Sequence, residues 1–168
     1  LLRAIAGDPE DMQIMYAVDG ARRLPEVTLG HLPGYADSRP VRIGNAAVDQ
    51  VQHDVLGEVM DALAHVRETE GMADEDAWPL QRALVRQLAG RWQEPDNGLW
   101  EIRGEPRAFT HSRVMIWVAL DRAVRACEDF DLDGPLEEWR RLRESVREDV
   151  LQNGYDAGRN SFVQYYGS

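Results

Sequence analysis

The sequence predicts an all-α chain built from helical hairpins, and three observations point there. Four segments repeat apolar residues at spacings of three and four, the signature of one helical face. The segments also alternate in character: the first and third are entered through long loops rich in Gly, Pro, Arg and aromatic residues, the second and fourth through shorter acidic turns. Finally, the first and third start about 65 residues apart and the second and fourth about 59, a weak repetition that suits an α-solenoid or a closed α/α toroid.

The first helix is expected from about Asn45 to Arg67, with Val48, Val51, Val55, Val59, Leu63 and Val66 on its apolar face. The second runs from about Asp76 to Gln93 on Ala77, Leu80, Leu84, Leu88 and Trp92, and accommodates Pro79 only in its first turn. The third, from Thr110 to Phe130, contains VMIWVAL and is apolar on several sides, as expected of a helix surrounded by protein. The fourth, from Pro135 to about Gln152, carries the stripe Leu136, Trp139, Leu142, Val146 and Val150 opposite a charged face. Gly134-Pro135 with Glu137 and Glu138 supplies its start, because acidic side chains favour the positive end of the helix dipole. Helices one and three read as inner members of two hairpins, two and four as solvated outer members.

Residues 13–45 are rich in turn formers, and at most short strands are expected around IMYAV and LPEVTL. A long irregular stretch inside a compact chain points to function, and its Tyr, Met, Leu and Ile content argues against disorder. At the chain's start, LLRAIAG reads as the tail of a helix.

Bulk properties exclude some functions. The 168 residues carry 30 acidic against 19 basic side chains, a net charge of −11, which disfavours nucleic acid and anionic membrane surfaces as partners. Every basic residue is Arg. The single Cys127 excludes an internal disulfide and a cysteine-rich metal site, and a reducing cytoplasm is the expected compartment. The opening residues do not read as a signal peptide, and the longest apolar run, residues 114–120, falls far short of a membrane span.

The stretch DNGLWEIRGEPRAFTHSR, residues 96–113, places a large aromatic ring beside a carboxylate in a loop bounded by Gly and Pro. A sugar offers apolar C–H faces and polar edges, so an indole platform beside a carboxyl suits it. Glycoside hydrolysis also needs a protonated carboxyl at the glycosidic oxygen, a state that an adjacent indole favours by desolvation. On spacing alone, Trp100 packed on a hairpin corner with Glu101 paired to Arg103 or Arg107 explains the pair better. SRPVRIGN at 38–45 offers Arg39, Arg42 and Asn45 to hydroxyl groups, or else anchors its loop to acidic neighbours. Both loops lead into inner helices, which in a toroid would bring them out on one side, and SFVQYYGS forms a third such loop. Elsewhere His31, His53, His65 and His111 do not form a ligand cluster, the Asp131-Asp133-Gly134 spacing fails for a calcium loop, and Ser112 lacks a nucleophile elbow. No phosphate-binding glycine loop is present.

Longer motifs carry a resemblance. QIMYAVDGARRLPE, HLPGYADSRPVRIGNAAVDQVQHDVLGEVMDAL, NGLWEIRGEPRAFTHSRVMIWVALDRA and the closing YYGS resemble bacterial glycoside hydrolase family 15, which includes glucoamylases, glucodextranases and trehalases. The resemblance runs from about Met12 to Ser168. It implies that residues 1–168 form one fragment of an (α/α)6 toroidal catalytic domain, supplying about four of its twelve helices and the loop region 8–44. It further implies inverting hydrolysis of α-linked glucose, from glucan ends or from trehalose; no cofactor and no metal ligand set are expected among these residues. Glu101 then falls on the general acid and Trp100 on an aromatic wall of the sugar pocket. Arg39, Arg42 and Asn45 line that pocket, and His111 and Arg113 follow the Trp-Glu loop and support it.

The family's upstream Trp-x-Arg-Asp segment has no counterpart here, and no carboxylate of the chain matches the catalytic base, expected beyond Ser168. The chain alone is therefore expected to be inactive and poorly stable. Fold does not fix activity. A non-catalytic helical module that binds carbohydrate or protein is the alternative, as is self-association through exposed helix faces.

Overall fold

A computed structural model describes residues 12–70, 77–100 and 102–168. The helical tail expected at residues 1–7 and the helix start expected at Asp76 lie outside the described residues. Four long helices dominate: α1 (Asp54–Glu70), α2 (Trp78–Arg91), α3 (Thr110–Phe130) and α4 (Leu136–Asn153). Strands are limited to two-residue pieces. β1 (Val27–Thr28) pairs antiparallel with β2 (Arg42–Ile43), Val27 opposite Ile43, and β3 (Tyr155–Asp156) pairs likewise with β4 (Ser161–Phe162). The chain is all-α in class and divides into two compact units, residues 13–51 and a larger one built on residues 52–168.

In the larger unit α3 is the central helix. It packs extensively against α1 and α4 and more lightly against α2. Ile116, Ala119, Leu120, Ala123 and Val124 of α3 are fully buried among Met60, Leu84, Leu88 and Val146. This is the outcome expected of a helix apolar on several sides. Each large aliphatic side chain removed from water in this way contributes about 1.5–3 kcal/mol before entropy is counted.

Local chemistry sets the helix limits. Pro79 occupies the first turn of α2, where its missing N–H costs nothing. At the end of α3, Asp131 adopts a left-handed conformation (φ 55°) and donates its N–H to the Ala126 carbonyl. Glu137 and Glu138 lie in the first turn of α4, and its Trp139, Val146 and Val150 are buried. Trp78 stands edge-on to Trp139 and donates its indole N–H to the Asp133 carbonyl at 2.8 Å, tying α2 to the turn before α4. Asp121 of α3, itself buried, receives Arg122, Arg125 and Arg143 at 2.8–3.1 Å, and Arg122 also reaches Asp61 of α1.

The first helix differs from its expectation. Asn45 does cap a helical turn, its side chain accepting from the Ala47 N–H at 2.9 Å, but that turn is a short 3-10 segment, Ala46–Asp49, after which Gln50 is extended. The α-helix begins only at Asp54. Its buried face is Leu56, Gly57, Met60, Ala64 and Arg67, about one residue round from the valine stripe; Val66 is exposed. Gly57 accounts for the rotation. A Cβ there would collide with the Met115 carbonyl of α3, so the two backbones approach at this glycine and the small-residue face packs.

The smaller unit is mostly irregular, with one 3-10 turn at Tyr35–Asp37 in addition to that at Ala46–Asp49. LPEVTL contributes β1, whereas IMYAV forms no strand. Glu26 holds SRPVRIGN in place: it pairs with Arg42 at 3.1 Å and accepts the Ala46 N–H at 3.3 Å.

Candidate active site

The Trp-Glu loop is closed at its base. Asp96 and Arg107 exchange two backbone hydrogen bonds, at 3.0 and 2.8 Å, so residues 97–106 project as one loop. The buried Asp96 carboxylate also accepts the His53 N–H at 2.9 Å, fixing the loop to the entry of α1. Gly98 carries φ 66°, and a Cβ there would stand 2.8 Å from the Phe109 ring. The DNG turn therefore folds over Phe109 only because residue 98 has no side chain.

SFVQYYGS packs against the far side of the same loop. Thr110 N–H donates to the Gln164 carbonyl and Tyr166 N–H to the Ala108 carbonyl, both at 3.0 Å. Phe109 meets Tyr165 edge-on at 6.0 Å, and the Arg107 guanidinium lies 4.3 Å over the Tyr165 ring. Two of the three loops expected to converge thus do so, within the larger unit.

Between them lies an open cavity of about 350 Å³, lined by Leu99, Trp100, Phe109, His111, Val114 and Phe162, with Thr110, Val163 and Gln164. Trp100 is 76% exposed, and Leu99 and Ile102 beside it are exposed too. A large ring is thus held out to solvent on a loop with an anchored base, and exposed apolar clusters of this kind occur at ligand sites. Glu101 lies outside the described residues; its place is fixed only as the neighbour of Trp100 in the chain.

The remaining candidates fall in different settings. His111, in the first turn of α3, lines the cavity with its Nδ1 4.0 Å from the Asp54 carboxylate. Arg113 is buried and donates to the carbonyls of Gln93 and Glu94 at 2.8 and 3.1 Å, beside a second small cavity shared with Trp92, Ala108, Asp149 and Tyr166. Its role in this arrangement is to hold the approach to the loop. In the smaller unit, Arg39 pairs with Asp37 at 3.2 Å, Arg42 with Glu26, and Asn45 caps the 3-10 turn.

Two polar side chains at the entry of α1 are buried. His53, which belongs to no ligand cluster in the sequence, is buried, and burial pulls its pKa below the ordinary 6.5 against the opposing pull of Asp96. Asp54, the first residue of α1, is 1% exposed, and burial raises its pKa above the usual carboxylate value. One signal is present in the sequence: His53-Asp54 follows directly on the DQVQ run at the entry to α1. Among the described residues, no group of three or more His, Cys, Asp or Glu side chains is placed to hold a metal, and no helix is long and apolar enough to cross a membrane.

Comparison with known proteins sharpens this picture. The chain is 43% identical over 162 residues to the trehalase of Mycolicibacterium smegmatis, covering 96% of the chain and 24% of that protein. It is 42% identical over 156 residues to the trehalase of Mycobacterium tuberculosis, covering 93% and 23%, and 36% identical over 157 residues to that of Thermoplasma volcanium, covering 94% and 25%. The chain thus spans about a quarter of the length of these curated relatives. No solved structure matches it. The sequence model of the family described as glycosyl hydrolases family 15 matches residues 1–168, and the chain belongs to that family.

Proposed function

We propose that this chain is part of an inverting glycoside hydrolase whose substrate is trehalose, and that Glu101 is its general acid. The observation that carries the reading is the exposed Trp100 on its anchored loop, forming a wall of the cavity that His111 also lines. The names of the relatives favour trehalose over longer α-glucans.

Trp100 stacks on the C–H face of a glucose ring. Glu101, next in the chain, protonates the glycosidic oxygen as the bond to the anomeric carbon breaks. A second carboxylate, supplied from outside residues 1–168, takes a proton from the water that attacks the opposite face, so the anomeric configuration inverts. The two carboxyls of such a pair stand roughly 6.5–9.5 Å apart to admit that water. In the corresponding toroid, α1 and α3 are the inner helices and α2 and α4 the outer ones. The loops before α1 and α3, with Arg39, Arg42 and Asn45 in the first, then belong to the sugar-binding end.

The test is hydrolysis of trehalose by the full-length gene product, followed by proton NMR of the released glucose. Inversion releases one glucose as the β-anomer from a substrate with two α-linkages. Glu101→Gln removes the proton donor and lowers kcat by about 10²–10⁴-fold. Turnover by the Gln variant near that of the wild type, or release of α-glucose alone, overturns the proposal. Sugar binding without any released glucose shows instead a non-catalytic module of the same fold.

A further inference from the structure

We propose that Asp54 is a positioning residue for the sugar cavity, acting through His111 to fix which ring nitrogen the cavity presents. The inference rests on the sugar-site reading above and extends it to a residue that touches no sugar.

His111 lines the cavity together with the polar Thr110 and Gln164, and differs in kind from Trp100. Its side chain is 43% exposed, and it stands in the first turn of α3. Its Nδ1 faces Asp54 Oδ2 at 4.0 Å. Asp54 is 1% exposed, and its other oxygen, Oδ1, is buried without a hydrogen-bond partner. A carboxyl of α1's first turn could serve the helix dipole equally well from solvent. Burial with an unpartnered oxygen is costly, and the other oxygen of the same carboxyl faces the imidazole.

The consequence is a choice of tautomer. A carboxylate beside Nδ1 favours the proton there, which leaves Nε2 as a hydrogen-bond acceptor. A sugar hydroxyl is a donor that such an acceptor recognises, while Trp100 takes the apolar face of the ring. The gap of 4.0 Å is wider than a hydrogen bond, and it closes when a bound sugar orders the imidazole. Trp100 thus supplies area and His111 direction, and Asp54 makes that direction single-valued.

The experiment is a double-mutant cycle in the full-length gene product, with Asp54→Asn, His111→Gln and the double variant, read on trehalose, or on maltose if trehalose is not a substrate. Each single change raises KM about tenfold with kcat within about threefold, and the double variant is no worse than the poorer single. Histidine-selective ¹⁵N NMR of the wild type, with the His111 signal assigned by its loss in His111→Gln, shows a protonated Nδ1; this readout does not depend on Asp54→Asn folding. Independent, multiplying effects on KM, or a His111 ring protonated at Nε2, overturn the proposal while leaving the hydrolase reading intact. A wild-type protein that turns over neither sugar overturns the hydrolase reading and this inference with it.

Discussion

His53 and Asp54 are adjacent in sequence and buried for different ends, and their protonation responds to burial in opposite directions. Burial lowers the pKa of His53 and raises that of Asp54, because in both cases it disfavours the charged form. The consequence for stability follows by linkage. In the unfolded chain His53 titrates near 6.5, in the folded protein lower. The stability that its neutral form contributes is therefore present above about pH 6.5 and is lost as pH falls through the folded value. For Asp54 the loss runs the other way, from the ordinary carboxylate value upward through the raised folded one. Between pH 7.5 and 5.5 the unfolding temperature of the wild type should therefore fall more than that of His53→Gln, whose side chain does not titrate. Parallel curves for the two proteins in a thermal unfolding series would remove His53 as the cause.

At the scale of elements, the contact between α1 and α3 turns on one glycine. A Cβ at Gly57 meets the Met115 backbone, which cannot yield without moving a helix, whereas a Cβ at Gly90 near the end of α2 meets nothing within 4 Å. Gly57→Ala should cost about 1–3 kcal/mol by overpacking. Gly90→Ala should gain up to about 1 kcal/mol by removing backbone freedom from the unfolded chain. Chemical denaturation of the two variants checks the pair, and equal effects would show that the helix contact is not limiting. The same glycine explains what could be read beforehand. The helix α3 keeps the expected bounds of its apolar run, Thr110–Phe130, and the start of α4 was legible because its apolar stripe and a local start signal agree at Pro135. The start of α1 was not, since Asn45 caps equally well a 3-10 turn that ends at Asp49. Nor was its buried face. Valines at helical spacing carry more hydrophobic signal than Gly57 and Ala64, yet close approach of a second helix favours the small residues.

At the scale of the whole molecule, the legible part of the site was the part contained in one loop. Trp100 beside Glu101, between DNG and a proline, announces itself along the chain, whereas the Asp54–His111 pair exists only because two helix starts, far apart in sequence, are packed together. Arg113 shows the converse: a residue close to the loop in sequence whose guanidinium is spent on the Gln93 and Glu94 carbonyls beneath it. By itself the 168-residue chain leaves Val66 of α1, Val114 of α3 and Leu151 of α4 exposed, along with Leu99, Trp100 and Phe162 around the cavity. Apolar groups gathered on several faces favour association, while a net charge of −11 opposes it. Salt screens the repulsion, with a Debye length near 10 Å at 0.1 M and about 3 Å at 1 M, and leaves the apolar attraction intact. Light scattering on the isolated chain should therefore show a mass that rises with protein concentration, and rises more steeply in 1 M than in 0.1 M salt. A compact monomer under both conditions would mean that these faces are not adhesive, and self-association would then be discarded as a property of the fold.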